Sequence, residues 1–379
     1  MTDTPAPDRP VVALVLAGAR PNFMKVKPVL DGLEALGADT VLVHSGQHYD
    51  PTMSEVFFEE LGLRPPDVHL GCGPGRHGEQ TGRVLATLEP VVDEHRPEVV
   101  VVVGDVNSTL AGALVGAKAG SLVAHVEAGL RSRDWTMPEE VNRVVTDRVS
   151  DLLLAPSPDA VDNLRAEGCA EHRIALVGNV MVDTLLANLP RARARGITER
   201  LDLVAGGFGL VTLHRPANVD DPDVLDGILD ALATVARDLP LVLPAHPRTR
   251  AHLDRRGAIP GLRVVEPLGY LDFVALEAAA ALVLTDSGGV QEETTVLGVP
   301  CLTLRDNTER PITVTEGTNR LVGRDPSRIV AAVEQTRTSP PTARRPAHWD
   351  GGAGPRSAAA IVAMVTSRRA GGWTRPTGS

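Results

Sequence analysis

The chain has 379 residues, 43% of them hydrophobic but only 3% aromatic, with 36 Gly and 30 Pro, which is enough for two globular domains with cores built from Val, Leu and Ala. Its formal net charge of -10 excludes sequence-independent nucleic-acid binding, which rests on phosphate neutralisation, and no apolar run approaches the ~18 residues of a membrane span. Three scattered cysteines, Cys72, Cys169 and Cys301, argue against a disulfide framework and for a reducing cytoplasm.

The first apolar run, VVALVLAGA before Arg20, resembles a signal peptide only superficially. The preceding MTDTPAPDRP has no positive excess and the run is short, so it reads as a buried strand. Strand candidates at 11–17, 40–44, 99–103 and 121–126 each end in a cluster of Gly, Asp, Glu or Ser. Helical patterns such as KVKPVLDGLEAL and STLAGALVGAKAG fill the gaps. A second series is expected at 174–177, 209–213, 240–244, 263–265, 281–285 and 300–304. This β-α alternation predicts an α/β protein with parallel sheets. It falls into two Rossmann-like halves, residues 10–175 and 176–356, followed by a last helix, 357–369, beyond a Pro-, Arg- and Gly-rich stretch. The ends, 1–9 and 370–379, read as disordered.

The stretch HVEAGLRSRDWTMPEEVNR places Glu127 just past a strand end and Glu139 and Glu140 in the first turn of a helix, with Arg131, Arg133, Asp134 and Arg143 between and after them. Ligands bind at the C-terminal ends of strands in open α/β sheets, and five other clusters fall there. Arg20 and Lys25 follow the first strand and suit a phosphate. Asp105 follows VVVVV. His214 and Arg215, then His246, mark two later strand ends. Thr285-Asp286-Ser287-Gly288-Gly289 turns into a helix whose free N–H groups can hold a diphosphate, with Glu293 one turn further along for a ribose diol. Each cluster alone fits an ordinary strand-to-helix turn; together they suggest a site.

Two other motifs lead nowhere. Gly73-Pro74-Gly75-Arg76-His77-Gly78 satisfies GxGxxG, but DVHLGC before it is a poor buried strand. No acidic strand end lies ~20 residues on, so it is not a dinucleotide fingerprint. His44 and His48 lack the HExxH or CxxC partner of a metal site.

GARPNFMKVKPV, SGQHYD, GDVNST, HVEAGLRS, MPEEVNRVVTD, VGNVMVDTLL, TLHRPANVDDP and LTDSGGVQEET, in that order from about residue 11 to 325, resemble the motifs of the non-hydrolysing UDP-N-acetylglucosamine 2-epimerases. The last fifth of the chain resembles them more weakly. The resemblance implies a GT-B architecture of two facing Rossmann-like domains, an active site in the cleft, a C-terminal helix crossing back to the first domain, and a homodimer. It implies interconversion of UDP-GlcNAc and UDP-ManNAc without NAD or metal, by elimination of UDP to 2-acetamidoglucal and readdition. The chemistry agrees: a hexosamine C2 hydrogen has no neighbouring carbonyl, so it becomes removable only as UDP leaves C1. Such a site needs carboxylates on two faces and cations for the departing diphosphate.

Carried over by motif, Asp105, Glu127, Glu139, His214 and Lys25 would be catalytic. Arg20, Phe273, Ser287, Gly288, Gly289 and Glu293 would bind UDP, and Arg143 and Asn179 would line the sugar side. Ala217 replaces a Glu common in the family, near Gln47, His48, Arg215 and His246, where some relatives bind a second UDP-GlcNAc as activator; the activator requirement is thereby put in question. The alternatives are a hydrolysing relative releasing ManNAc and UDP, which uses the same elimination, and a GT-B glycosyltransferase or nucleotide-sugar binder.

Overall fold

The computed structural model of the protein describes residues 9–18, 20–46, 60–245, 247–342 and 344–373, without the side chains of residues 20, 21, 247, 248 and 251. The chain forms two compact units. One combines the residues up to Thr184 with those from Ala347 onward; the other is Leu185–Pro346. The divisions fall at Thr184/Leu185 and Pro346/Ala347, where the sequence suggests 175/176 and 356/357, and the helix Val180–Arg193 runs through the first structural division.

In the first unit β1 (Val12–Ala17), β2 (Asp39–His44), β3 (Val68–His69), β4 (Val99–Val103), β5 (Leu122–Val126), β6 (Leu152–Ala155) and β7 (Ile174–Leu176) form one parallel sheet in the order β3-β2-β1-β4-β5-β6-β7. β4 is five valines, all buried. A β-branched run fits a strand covered on both faces, which a parallel sheet requires. The strand at 174–177 therefore does not open the second series. β7 pairs with β6 at the edge of the first sheet, and β6, the sequence Leu-Leu-Leu-Ala, had gone unread because leucine suits a helix equally well.

In the second unit β8 (Gly209–Thr212), β9 (Leu241–Pro244), β10 (Leu262–Val265), β11 (Leu282–Thr285), β12 (Cys301–Thr303) and β13 (Asn319–Leu321) form a parallel sheet ordered β10-β9-β8-β11-β12-β13. Its largest covering helix, Pro222–Val235, starts where the Asp221 carboxylate accepts from the N–H groups of Asp223 and Val224. It buries Leu225, Ile228, Leu229, Leu232 and Val235, the helical spacing of one apolar face. In each sheet the order reverses once, between β1 and β4 and between β8 and β11. Those reversals are where α/β sheets open a crevice at their strand ends.

The residues after Ala347 complete the first unit. Trp349 is fully buried and its indole N–H donates to the Pro156 carbonyl at 2.9 Å. The backbone N–H groups of Ala353 and Gly354 donate to the Asp183 carboxylate at 3.0 and 2.7 Å. The helix Ala353–Arg369 then lies against Arg20–Ala35. At Gly354 a Cβ would stand 2.4 Å from the Pro28 carbonyl oxygen, so only glycine permits that approach. No helix among the described residues is long and apolar enough to cross a membrane.

Candidate active site

At the strand ends of the first unit the acidic residues are in three different states. Glu127 directly follows β5 and is 5% exposed. It holds the left-handed backbone conformation, φ 69°, which is costly for a residue with a side chain and persists where the surroundings fix it. Its Oε2 is paired with Lys25, itself buried on the helix Arg20–Ala35. Its Oε1 is buried with no partner among the described residues. Gly104 makes room for the pair: a Cβ there would lie 3.4 Å from both Lys25 Nζ and Glu127 Oε2.

Asp105 follows Gly104 and is gripped twice from the helix Pro138–Val149. The Asn142 amide donates to its backbone carbonyl at 2.9 Å, and Arg143 pairs with its carboxylate. Arg143 also pairs with Glu140. Glu140 accepts from Ser132 N–H (2.9 Å), Ser132 Oγ (2.8 Å) and Arg133 N–H (2.9 Å). Burial alone would raise the Glu140 carboxyl, but these donors hold it below its ordinary value. Glu139 is half-buried beside it, and its carboxylate makes no hydrogen bond or ion pair among the described residues.

The second unit sets an imidazole and a cationic cluster at its own strand ends. His214, largely exposed, has Nδ1 2.7 Å from Asp286, a fully buried carboxylate. Asp286 also accepts from the N–H groups of His214 and Arg215 and from Asn218 Nδ2. Burial would raise its carboxyl; His214 and the backbone donors hold it low. This arrangement fixes the ring through Nδ1 and turns Nε2 away from Asp286. The helix Gly288–Leu297 begins just beyond. A Cβ at Gly288 would stand 2.5 Å from the Arg310 guanidinium and 2.6 Å from the Glu309 carboxylate. Arg305 pairs with Glu309 at 2.8 Å, Arg310 with Glu292 at 2.7 Å and with Glu309, and Arg215 reaches Glu309 at 3.5 Å. Three guanidinium groups thus face two carboxylates beside free helix N–H groups, a setting suited to an anion. Glu293 is buried one turn on, where Tyr270 donates to it at 3.3 Å. Burial, then Glu292, pushes its carboxyl up to about 8.

The UDP-N-acetylglucosamine 2-epimerase family pattern matches residues 33–362. The chain belongs to that family. A UDP-N-acetylglucosamine 2-epimerase of Methanocaldococcus jannaschii is 45% identical over 332 residues, covering 84% of this chain and 90% of the relative. A crystal structure of the M. jannaschii enzyme in complex with UDP-GlcNAc and UDP superposes with TM-score 0.85 at 43% identity, covering 94% of this chain and 99% of that one. A UDP-2,3-diacetamido-2,3-dideoxy-D-glucuronate 2-epimerase of Pseudomonas aeruginosa is 46% identical over 331 residues, 86% of this chain and 91% of the relative. The glycotransferase of kitacinnamycin, at 14% identity and TM-score 0.57, shares the fold alone, the two parallel sheets of GT-B proteins.

Within this epimerase-family chain, Lys25, Asp105, Glu127, Glu139 and Arg143 all lie at the C-terminal ends of β4 and β5 or on the helices beside them. Asn179 is fully buried; its Oδ1 accepts from Met181 N–H at 2.9 Å and starts the helix Val180–Arg193, while its Nδ2 has no partner among the described residues. His214, Arg215, Ser287, Gly288, Gly289 and Glu293 stand at the ends of β8 and β11 or on the helix that follows, with Phe273 half-buried on the helix Tyr270–Ala279. Gln47, His48 and His246, and the side chain of Arg20, lie outside the described residues. The sequence reading did not single out Asp286, Glu309 and Arg310 as site residues. Asp286 sits inside the quoted Thr285-Asp286-Ser287 turn, where its position before two glycines was the available signal.

Proposed function

We propose that the protein interconverts UDP-N-acetylglucosamine and UDP-N-acetylmannosamine by elimination and readdition of UDP. The observation that supports this best is the set of three acids in unlike states: Glu127 paired with Lys25 and with one oxygen unengaged, Asp105 held by Arg143, and Glu139 without a described partner. A base takes the C2 proton, the C2–H electrons form a C1=C2 bond, and the C1–O pair leaves on the UDP β-phosphate. UDP then re-adds to C1 of the glucal while an acid protonates C2 from the opposite face. Because the sugar begins and ends at the same oxidation state, no redox cofactor is consumed. Asp105, Glu127 and Glu139 supply the proton chemistry. Ser287, Gly288 and Gly289, with Arg310, receive the diphosphate, and Glu293 the ribose diol. His214, oriented by Asp286, acts on the leaving group. Two copies of the chain form the active enzyme, which sedimentation velocity checks.

The near-equal identity to the diacetamidoglucuronate enzyme supports a second substrate reading, with C3 acetamido and C6 carboxylate groups on the same sugar ring. Incubation with UDP-GlcNAc in deuterated buffer should give UDP-ManNAc carrying deuterium at C2. Free ManNAc as the main product would mark a hydrolysing enzyme. Turnover of the uronate sugar nucleotide alone would transfer the reaction to that substrate, and inertness toward both would end the epimerase reading.

A further inference from the structure

One fully buried ion pair joins the segments that carry the three acids. His125, the fourth residue of the β5 sequence Leu-Val-Ala-His-Val, has Nδ1 2.6 Å from Asp147 Oδ1 and Nε2 2.8 Å from the Gly104 carbonyl oxygen. A carboxylate and a carbonyl only accept, so the ring donates from both nitrogens. Asp147 Oδ2 in turn accepts from the Gly129 N–H at 3.0 Å and from Arg131 at 2.7 Å. Burial would raise the Asp147 carboxyl, but His125 and then Arg131 hold it below its ordinary value.

The chain positions of these contacts matter more than their number. Gly104 precedes Asp105 and backs onto the Lys25–Glu127 pair. Gly129 lies two residues after Glu127, and the turn between them hangs from the β6 carbonyl of Leu154, which accepts from the N–H groups of both Glu127 and Ala128. Asp147 lies on the helix Pro138–Val149, two turns beyond Glu139. A core residue needed only to fill space beside β5 would be aliphatic, like the other four residues of that strand. A charged pair here is costly to bury, and it reaches the backbone at two loops and one helix.

We propose that His125 and Asp147 are positioning residues that hold the segments bearing Asp105, Glu127 and Glu139 in register for proton transfer on the two faces of the sugar. The inference rests on the epimerase reading above. Its geometry is that of a single rod with one end on Gly104 and the other on Gly129 and the helix. A loss of about 1 Å in such placement costs on the order of 10²-fold in rate.

Two half-replacements test it. In His125→Gln the side-chain amide can still reach toward the Gly104 carbonyl but not Asp147; in His125→Asn it can reach Asp147 but not Gly104. Each should fold, with KM for UDP-GlcNAc within about threefold of wild type and kcat lowered by ~10²-fold. Each should also release free 2-acetamidoglucal and UDP during turnover, because a misplaced acid fails to reprotonate C2 before the intermediate escapes. Amide hydrogen exchange at Gly104–Asn107 should quicken more in the Asn variant than in the Gln variant. Wild-type kcat in both variants, or lowered kcat with Gly104–Asn107 exchanging as in wild type, would overturn the proposal. A wild-type protein inert toward both UDP-GlcNAc and the uronate sugar nucleotide would remove the epimerase reading instead, and the exchange measurement would still decide whether the pair positions the Asp105 segment.

Discussion

Glu139 and Glu140 are neighbours in the chain with opposite employment. Glu140 accepts three hydrogen bonds from Ser132 and Arg133 and pairs with Arg143, so it builds the loop between Glu127 and the helix. Glu139 has none of these ties among the described residues, and in the proposed reaction it serves the sugar. Glu139→Gln should therefore cost ~10²-fold or more in kcat, the scale of a lost general acid or base, with an unchanged melting temperature. Glu140→Gln should do the reverse first: hydrogen bonds to a charged group are worth roughly 1.5–3 kcal/mol, so its melting temperature should fall by several degrees. Equal melting losses in the two variants would contradict this division. The residue motifs around the acids were legible because Asp105 and Glu127 each follow an apolar strand and Glu139 stands in the first turn of a helix. Their supports were not: Asp286 lies 72 residues from His214, and Asp147 22 residues from His125, and no local pattern connects them.

The helices Tyr270–Ala279 and Gly288–Leu297 bury acids together. Glu277 is fully buried and neither of its oxygens has a partner among the described residues. Burial, then Glu293, pushes its carboxyl well above its ordinary 4.5, and Glu293 is raised to about 8. Between those values the folded protein keeps protons that the unfolded chain has released, so stability falls as pH rises from 4.5 to about 8. Glu277→Gln removes one of these groups. Its melting temperature should gain on wild type as pH goes from about 5 to about 8, by about 2–4 °C for each ~1 kcal/mol. A gain independent of pH would show that packing, not ionisation, is responsible. Most of the strands on these two sheets were readable in the sequence because apolar runs such as Val-Val-Val-Val-Val ended in turn residues. β3, β6 and β13 were not: Val68–His69 lies in DVHLGC, which reads as a poor buried strand, three leucines carry no strand preference, and Asn-Arg-Leu is too short to show alternation.

At the scale of the molecule, the first unit is sewn together from the two ends of the chain. Its last helix, Ala353–Arg369, packs on Arg20–Ala35, the helix that carries Lys25. A side chain at Gly354 would meet the Pro28 carbonyl, and overpacking of this kind costs typically 1–3 kcal/mol. Gly354→Val should lower the melting temperature of the first unit and its turnover together; a variant as stable as wild type would mean that the two helices slide apart without cost. The seam was only half visible in the sequence. The last helix could be read from its pattern, but Trp349, which locks residues before it onto Pro156, lies in a Pro-, Arg- and Gly-rich stretch that reads as a linker.

The same seam imposes an order on synthesis. The second unit, Leu185–Pro346, is continuous and can finish folding as soon as it clears the ribosome. The first cannot: its β-strands emerge early, but the helix that covers Arg20–Ala35 is translated only after the whole of the second unit. At about 5–20 residues per second, translating the second unit alone keeps the apolar side of the Lys25 helix uncovered for roughly ten to thirty seconds. During that time a nascent chain is complete in all its acids and still lacks the wall behind one of them, so chaperone binding to ribosome-held chains should peak before residue 347 is made and decline once the final helix is released.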